Sequence, residues 1–401
     1  MNAGDASSNE PEWPLRDRFA IVGIGESAYT RAGQAAQPEF TLACEAITKA
    51  VADAGLRIDD VDGLCAYGYE RSDPTSVAKA LGLSGLRYAA LYPGGGNAAT
   101  GIVHHGLAGL AAGEAEVVVC YRSICQGEFG RYGRSLEDPV EQAQAGWRDF
   151  AGPFGMFTAA QMYALAARRH MSLYGTTSAQ LGRVAVASYD NAQRNPRAVM
   201  HGRPITLADH QASRMIADPY RLYDCCQESD GACALVMTRV ERARSCPHDV
   251  VSIAGAAHGM ERDHGVDGRP AHLWAEGGLA RTARELYRRA GVGPKDVDVA
   301  QLYDAFTGNV LMHLEDFGFC GRGESGPFVE SGAIDWPHGS LPVNTSGGNL
   351  AEGYLHGFSL VLEGVRQMRH ASTSQVADAE IGLVVSAIGP YSGGLILRRC
   401  H

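Results

Sequence analysis

The spacing of apolar residues along the chain predicts strands that alternate with helices. Apolar runs of strand length occupy residues 19–23 and 251–255. After the first run, residues 41–54 carry apolar side chains on one helical face, and this predicted helix ends at Gly55. Strands that alternate with helices of this length are typical of an α/β protein with parallel or mixed sheets.

The order of predicted elements repeats in the second part of the chain. In each copy, a strand leads to a helix that ends in Ala-Gly, and an Asp-Val-Asp triplet follows at the same distance. A Gly-Gly-Asn turn then begins a further helix and strand. Because strand, helix, cap and turn agree in one order, the pattern indicates an internal duplication. The paired features are helices 41–54 and 279–290, triplets 60–62 and 296–298, turns 95–97 and 347–349, and helices 101–112 and 357–368.

The repeats predict two similar halves with one long insertion. We expect a flexible tail at residues 1–17, an N-terminal half at 18–245 and a C-terminal half at 246–401. Residues 122–221 interrupt the first half, and an insertion of this length is usually a subdomain or a lid. Its two predicted helices lie near residues 158–174 and 178–194.

Composition narrows the classes of protein to which the chain can belong. A net charge of −10 argues against a nucleic-acid partner, because the chain has no basic excess to neutralise phosphates. No apolar run approaches the ~20 residues of a membrane span, and residues 1–17 lack the order of a signal peptide. The 10 cysteines have no CxxC spacing, so we expect no metal site and a reducing, cytoplasmic location.

Four turns carry the residues that point to chemistry. Two contain a tyrosine, in Tyr303-Asp304-Ala305-Phe306 and Gly353-Tyr354-Leu355-His356-Gly357. The other two contain an alanine, in Asn97-Ala98-Ala99-Thr100-Gly101 and Ala387-Ile388-Gly389. Glycine in these turns permits close approach of a ligand to the backbone. A phenol can donate a hydrogen bond or exchange a proton, whereas a methyl group can do neither.

The four turns resemble the catalytic turns of the thiolase superfamily. That family places histidine at the positions of Tyr303 and Tyr354, its nucleophilic cysteine at Ala98 and its acid/base cysteine at Ala387. The resemblance covers nearly the whole chain. It implies the thiolase fold, an α/β architecture of two duplicated βαβαβαββ-type halves in five layers. The chain keeps the four turns of that family, whereas the histidines and cysteines that carry out Claisen chemistry are replaced.

The insertion resembles that of thiolases of the sterol-carrier, or lipid-transfer-protein, type. The resemblance lies in Met162-Tyr163-Ala164 and in residues 224–226 and 229–232. In that family the insertion covers the acyl-CoA site, so the resemblance implies the same position for residues 122–221. It also implies which residues form the site. The catalytic candidates are Tyr303 and Tyr354, and the substrate-binding candidates are Asn97, Ala98, Asp304, Asn344, Gly347, Gly348, His356 and Gly389.

A thiolase-like acyl-CoA site that lacks both cysteines favours aldol cleavage over thiolysis. Cleavage of a β-hydroxyacyl-CoA needs a base for the hydroxyl proton and an acid for the enolate, and two phenols can divide these tasks. The chain is similar to the steroid side-chain-cleaving aldolases of bacterial sterol and bile-acid catabolism. Those enzymes release a ketosteroid and a short acyl-CoA such as propionyl-CoA or acetyl-CoA. The resemblance implies that coenzyme A is part of the substrate and that no separate cofactor is used.

The resemblance also implies partners for the chain. Thiolase-like proteins pair through the edge strand of the first half, so we expect a homodimer. Steroid side-chain-cleaving aldolases work with a small OB-fold partner that carries a zinc ribbon. Cysteine spacing for such a module is absent from this sequence, so the partner would be a separate polypeptide.

Two other functions stay open from the sequence. The chain would be a catalytically silent scaffold that binds acyl-CoA or sterol if the tyrosines have no catalytic role. It would be an acyltransferase or thiolase if another cysteine replaces the missing nucleophile. Cys120, Cys125 and Cys320 are candidates for that thiol, although Cys120 lies within an apolar run. Replacement of the tyrosines by phenylalanine distinguishes an aldolase, which loses activity, from a scaffold, which does not change.

We assign no site to two further motifs. Residues 23–28, Gly-Ile-Gly-Glu-Ser-Ala, match a dinucleotide fingerprint, but the predicted helix begins near Thr41 rather than at these glycines. His104 and His105 are adjacent on a predicted helix and therefore point apart, which does not suit a metal site. We expect them to face the cavity or to pack between the halves.

Overall fold

The structure is a computed structural model of the 401-residue chain, and it describes residues 13–129, 152–156, 158–259, 279–388 and 392–400. The strands are β1 (Phe19–Glu26), β2 (Thr30–Arg31), β3 (Gly63–Tyr67), β4 (Tyr88–Tyr92), β5 (Val118–Cys125), β6 (Met215–Ala217), β7 (Tyr220–Arg221), β8 (Ser229–Arg239), β9 (Val250–Gly259), β10 (Val299–Leu302), β11 (Ile381–Val385) and β12 (Ser392–Cys400). The helices are α1 (Glu39–Asp53), α2 (Pro74–Leu81), α3 (Gly101–Ala112), α4 (Gln126–Phe129), α5 (Ala159–Tyr174), α6 (Ser178–Ala192), α7 (Leu207–Ala212), α8 (Val240–Ala243), α9 (Ala280–Ala290), α10 (Thr307–Asp316), α11 (Ser325–Glu330), α12 (Gly348–Ala351) and α13 (Phe358–Met368). Among these helices, none is long and apolar enough to cross a membrane.

Each half contributes a mixed sheet, and the two sheets have matching strand orders. The order is β4-β3-β5-β8-β1 in the first half and β10-β11-β12-β9 in the second. Strand β3 is parallel to β4 and β5, and β10 is parallel to β11. A single parallel bridge from Ala300 to Val343 takes the place beside β10 that β4 takes beside β3. The matching order confirms the predicted duplication of the fold.

The two sheets are joined edge to edge. Strand β1 is antiparallel to β9, with Ala20 opposite Ser252 and Ile21 opposite Val251. Hydrogen bonding is therefore continuous from β10 at one end to β4 at the other. The boundary between the halves at residues 245 and 246 stays a prediction.

Helices cover the sheets in the layers that the thiolase fold requires. Helices α3 and α13 lie between the halves, since α3 contacts β3, β4, β9 and β12 while α13 contacts β10, β11, β1 and β8. Helix α1 covers the outer face of the first sheet, and α9 packs on β9 and β12 of the second. The order helix, sheet, helix, sheet, helix gives five layers.

The segment that resembles a dinucleotide fingerprint lies inside β1. A Cβ at Gly23 would lie 2.1 Å from the carbonyl oxygen of Ala50, and one at Gly25 would lie 2.3 Å from that of Ala46. These glycines therefore let α1 approach the strand closely. Strand β1 continues through them to Glu26, so the helix that a dinucleotide site needs does not begin there.

We expected residues 1–17 to form a flexible tail, and this is wrong for the last five of them. Trp13 packs against the hydrophobic core, and the backbone N–H of Asp17 donates to the carbonyl of Ile253 at 3.2 Å. Contacts with the second half therefore hold this part of the segment in place. Residues 1–12 lie outside the part of the chain that the structure describes.

The insertion packs on the second half, beside the loops that follow β10. Its two long helices begin at capping boxes, in which Thr158 and Thr177 each cap the helix together with a glutamine three residues later. Helix α6 contacts α10, α11 and α12 of the second half. Asn191 on α6 donates from Nδ2 to the carbonyls of Val343 and Asn344, both at 3.2 Å. The insertion is thus fixed to loops that carry predicted site residues.

Candidate active site

The two predicted catalytic tyrosines are in contact. The Oη atoms of Tyr303 and Tyr354 lie 3.1 Å apart, a hydrogen-bond distance in which either hydroxyl can be the donor. Burial raises the pKa of both phenols well above the ordinary value, so both are neutral near pH 7. A neutral pair can donate and accept in either direction, which suits transfer of a proton along the pair.

The ring of Tyr303 lies in a slot between two glycines. Tyr303 follows β10, and its backbone N–H donates to the carbonyl of Val385 on β11 at 3.1 Å. A Cβ at Gly96 would lie 2.1 Å from the Oη of Tyr303, and one at Gly357 would lie 2.5 Å from its Cδ2. No larger residue fits at either position unless the ring moves. The two glycines therefore fix where the phenol lies.

Tyr354 is positioned by a tight turn. Its backbone N–H donates to the Oγ of Ser229 on β8 at 2.6 Å. Two residues later, His356 has a φ of 52°, and Gly357 has a φ of 78°. The left-handed conformation is costly for a residue other than glycine and is often found at functional sites. The turn thus sets the Tyr354 hydroxyl against Tyr303.

His356 belongs to a buried charged network beside Tyr354. The Nη2 of Arg122 donates to the Nδ1 of His356 at 3.0 Å, so the neutral imidazole carries its proton on Nε2. Burial, and then the charge of Arg122, lowers the pKa of His356 well below its ordinary value. Arg122 forms an ion pair with Glu70 at 3.0 Å and lies over the ring of Tyr67 at 5.0 Å. The network fixes both the orientation and the protonation of His356.

Asp304 and Asn344 hold the neighbouring turns together. The carboxylate of Asp304 accepts from the backbone N–H groups of Asn349 at 2.9 Å and Leu350 at 3.3 Å. Burial raises the pKa of Asp304 to about 7. Asn344 accepts from the N–H of Leu302 at 2.8 Å and donates to its carbonyl at 2.9 Å. Both side chains are buried and bind the protein's own backbone, and their contact with a substrate stays a prediction.

Gly347 and Gly348 allow close packing of the same turn. Their φ angles are 109° and 61°, which a residue with a side chain rarely adopts. A Cβ at Gly347 would lie 2.9 Å from the Cβ of Ala192, and one at Gly348 would lie 2.2 Å from the Oδ2 of Asp304. The glycines therefore seat the turn against the insertion and against Asp304.

The two turns with alanine in place of cysteine are also joined. The backbone N–H of Ala387 donates to the carbonyl of Gly96 at 3.1 Å. Ala98 is completely buried, whereas Asn97 is partly exposed. Gly389 lies outside the described residues, and its place in the site stays a prediction. The turns that carry Asn97, Ala98 and His356 meet at Tyr303, whereas the turn with Asn344, Gly347 and Gly348 contacts the neighbouring Asp304 and Leu302.

Two residues near the phenols were not among the predicted site residues. Tyr163 on α5 donates from its hydroxyl to the carbonyl of Ile388 at 3.0 Å. Burial is the main cause of the raised pKa of Tyr303 and Tyr354, and electrostatic repulsion from Tyr163 and Cys226 adds to it. Both residues lie in segments that resemble sterol-carrier-type thiolases, and this was the signal by which they could have been found.

The three cysteines considered as nucleophiles are in unsuitable surroundings. Cys120 lies in β5, is completely buried, and donates from Sγ to the carbonyl of Ile102 at 3.4 Å. Burial raises the pKa of Cys125 to about 11 and that of Cys320 to about 12. Because the thiolate is the reactive form, these shifts oppose a nucleophilic role. Within the described ranges, no group of three or more His, Cys, Asp or Glu side chains could hold a metal ion.

His104 packs between the halves, which is one of the two positions that we expected. Its Nδ1 lies 2.9 Å from the Nδ1 of His258 on β9. The Nε2 of His258 lies 2.7 Å from the Oγ1 of Thr100. Burial lowers the pKa of His104 to about 4. The neutral histidines therefore contribute to packing at the start of α3.

Known proteins are similar to this chain along nearly its full length. Residues 266–397 match the family described as thiolase C-terminal domain-like. The chain is 41% identical over 394 residues to 17-hydroxy-3-oxo-4-pregnene-20-carboxyl-CoA lyase of Mycobacterium tuberculosis, with 96% of this chain and 100% of that protein covered. It is 42% identical to the steroid side-chain-cleaving aldolase of Thermomonospora curvata, with 94% of this chain and 97% of that protein covered.

Solved structures have the same architecture. A structure described as "Ltp2-ChsH2(DUF35) aldolase" matches with a TM-score of 0.89 and 40% identity, and covers 96% of this chain and 98% of its own. Human mitochondrial 3-ketoacyl-CoA thiolase matches with a TM-score of 0.70 at 15% identity, across 96% of this chain and 100% of its own. The second match confirms the predicted thiolase fold. The chain therefore belongs to the thiolase-like family of steroid side-chain-cleaving aldolases.

Proposed function

We propose that the protein catalyses retro-aldol cleavage of a steroid β-hydroxyacyl-CoA. The observation that carries this proposal is the hydrogen bond between the Oη atoms of Tyr303 and Tyr354. Where a thiolase needs two thiols, this chain has Ala98 and Ala387, which cannot form an acyl-enzyme. A carbon–carbon bond can still be broken by proton transfer alone, and the two phenols supply the groups for that transfer.

The phenols relay one proton from the substrate hydroxyl to the substrate α-carbon. Tyr354 accepts the proton of the β-hydroxyl while its own proton passes to Tyr303, and Tyr303 gives its proton to the α-carbon of the enolate. As the oxygen loses its proton, the Cβ–O bond becomes a carbonyl and the Cα–Cβ bond breaks. The protons balance without a phenolate in the resting enzyme, which agrees with the raised pKa of both tyrosines.

The assignment of the two tyrosines follows their places in the fold. Tyr303 replaces the histidine that contacts the thioester oxygen in the thiolases that this chain resembles, so we place it on the enolate side. Tyr354 then faces the β-hydroxyl. Around them, Asn97, Ala98 and His356 are proposed to line the acyl-CoA site, and coenzyme A enters only as part of the substrate. Asp304, Asn344, Gly347, Gly348 and Gly389 complete the proposed site.

The proposed substrate is a steroid with the hydroxyl on C17 and the thioester on C20. The relative from Mycobacterium tuberculosis is named a 17-hydroxy-3-oxo-4-pregnene-20-carboxyl-CoA lyase. In such a thioester, C20 is the α-carbon and C17 carries the β-hydroxyl. Cleavage of the C17–C20 bond yields a 17-ketosteroid and propionyl-CoA.

We further propose a cytoplasmic homodimer that works with a separate OB-fold and zinc-ribbon protein. Strand β4 ends the sheet, and among the described strands it pairs only with β3. Leu91 on this strand is 53% exposed, so pairing of β4 with a second copy would cover an open edge and an apolar side chain. The second partner is suggested by the similar solved structure, the Ltp2-ChsH2(DUF35) aldolase, which names ChsH2(DUF35) together with the aldolase.

The proposal is tested by incubation of the protein, alone and with a DUF35 partner, with the C17-hydroxy C20 thioester. Mass spectrometry should find a 17-ketosteroid and propionyl-CoA in equal amounts. Tyr303→Phe and Tyr354→Phe should bind the thioester and release little product. Binding without products in the wild type would instead support a scaffold and refute the aldolase.

A further inference from the structure

Glu352 is a buried carboxyl group two residues before Tyr354. It is completely inaccessible to solvent. Its Oε1 accepts from the Nδ2 of Asn195 at 2.9 Å, and its Oε2 accepts from the Oγ of Ser346 at 2.7 Å. Among the described residues, the neighbouring carboxylates Glu26 and Glu363 form ion pairs with arginines, whereas Glu352 forms none. A charge on this group would therefore lack a direct partner.

The surrounding charges balance when Glu352 is neutral. The carboxylate of Glu26 is paired with Arg366 at 2.7 Å and with Arg197 at 3.0 Å. The carboxylate of Glu363 lies 3.6 Å from Arg366. Two guanidinium groups thus face two carboxylates, and a third buried negative charge would be costly. Among the described residues, the charged and titratable groups that act on Glu352 include Glu26 on β1, Tyr29 between β1 and β2, Arg197 after α6, Cys233 on β8, and Glu363 and Arg366 on α13.

The titration of Glu352 agrees with this charge balance. Burial, the largest cause, raises the pKa of Glu352 to about 8. The positive charge of Arg366 opposes this shift, whereas the carboxylates of Glu26 and Glu363 add to it. The neutral form therefore predominates at pH 7.

Glu352 also connects the insertion to the Tyr354 turn. Its backbone carbonyl accepts from the N–H of Val199 at 2.8 Å, in the segment that follows α6. Asn195, from the same segment, donates to both the carboxyl of Glu352 and the carbonyl of Ser346, the latter at 3.0 Å. Side chain and backbone together fix the start of the turn that carries Tyr354.

We propose that Glu352 is a positioning residue for Tyr354 and acts as a neutral carboxylic acid. This inference rests on the proposed function, because it concerns the place of Tyr354 during cleavage. In the neutral carboxyl, Oε1 still accepts from Asn195, whereas the direction of the 2.7 Å hydrogen bond between Oε2 and the Ser346 Oγ reverses, with the protonated Oε2 as the donor. Ionisation adds a third negative charge beside Glu26, and repulsion displaces the turn. Turnover therefore falls as the pH rises through about 8, the pKa of Glu352.

The alkaline limb of the pH profile distinguishes Glu352 from the catalytic tyrosines. Burial holds the pKa of Tyr303 and Tyr354 well above 10, so their ionisation gives a limb at higher pH. If turnover falls near pH 8 in the wild type but not in a variant whose residue 352 is permanently neutral, the fall is caused by ionisation of Glu352. A residue with a purely structural role would not alter the profile when its shape is kept.

The experiment measures kcat for cleavage of the steroid thioester between about pH 6 and about pH 9.5. Glu352→Gln keeps the shape and is neutral throughout, so it should keep turnover within about threefold at pH 7 and lose the limb near 8. Glu352→Ala removes the second acceptor of the Asn195 amide and the partner of the Ser346 hydroxyl, and it should lose about tenfold or more at every pH. Exposed Glu114, changed to Gln, is the matched control and should show the wild-type profile.

A second measurement does not depend on activity. Unfolded Glu352 releases its proton at the ordinary pKa of 4.5, whereas the folded chain holds it to about 8. Between these values the free energy of unfolding of the wild type should fall with rising pH relative to Glu352→Gln. An equal pH dependence in both proteins, or an unchanged alkaline limb in Glu352→Gln, overturns the inference. Absence of cleavage by the wild type overturns the proposed function itself, and with it the positioning role.

Discussion

Replacement of Gly96 by alanine tests whether the position of the Tyr303 hydroxyl controls turnover. The added Cβ would lie 2.1 Å from the Oη and 2.3 Å from the Cζ of Tyr303. Ordinary contact begins at 3.4 Å, so the phenol must move by about 1.3 Å. The Oη atoms of Tyr303 and Tyr354 are now 3.1 Å apart, and a shift of this size away from Tyr354 takes them out of hydrogen-bond range.

The expected loss follows from that displacement. Misplacement of a catalytic group by ~1 Å can cost ~10²-fold in rate, which equals about 2.7 kcal/mol of activation free energy. The assay is the initial rate of ketosteroid release, with substrate binding measured separately and thermal unfolding used to confirm that the variant folds. Gly85→Ala is the matched control, because its Cβ meets no atom within 4 Å and its φ is not left-handed. Wild-type turnover in a folded Gly96→Ala protein would refute the argument.

The tyrosines, the thiols and a buried carboxyl give three more expectations. Tyr303→Phe and Tyr354→Phe should each lower kcat ~10²–10⁴-fold, and the double variant should lose far less than the product, because the phenols act as one unit; wild-type rates in either single variant would remove that residue from the mechanism. Thiol alkylation should spare most activity unless a reagent on Cys226 blocks the site, and an acylated cysteine found by mass spectrometry would contradict the non-covalent route. Burial raises the pKa of Glu39 to about 7, so the folded chain holds a proton that the unfolded chain releases. The free energy of unfolding should fall as the pH rises from about 5 to about 7, by at most about 1.4 kcal/mol per pH unit for this group. Urea titrations at several pH values should show that the unfolding free energy of Glu39→Gln depends less on pH than that of the wild type. An equal pH dependence in the two proteins would exclude Glu39 as a cause.

Local signals in the sequence were sufficient to predict the duplicated fold. The helix predicted at residues 101–112 agrees with α3, and the helix predicted at 357–368 begins one residue before α13. Apolar spacing and a glycine after the last turn depend only on neighbouring residues, so they can be recognised without tertiary structure. The four catalytic turns were located by resemblance to a family, and the contact between Tyr303 and Tyr354 agrees with the expectation that both belong to one site.

Contacts between distant side chains could not be predicted in this way. Arg122 and His356 are 234 residues apart, and Asn195 and Glu352 are 157 residues apart. No periodicity links such pairs, since Arg122 on β5 meets His356 only when the two halves pack together, and Asn195 meets Glu352 only when the insertion packs on the second half. The tail boundary was wrong for the same reason, because Trp13 is held by residues that lie far along the chain.

The joined sheets have a consequence for how the protein folds. Strands β1 and β9 share hydrogen bonds, and one hydrophobic core contains Phe19 and Ile21 from the first half together with Ile253 and Leu397 from the second. Loss of either half would expose apolar surface and unpaired backbone on the other. The duplicated halves are therefore expected to unfold together in a single cooperative transition, and either half expressed alone is expected to aggregate.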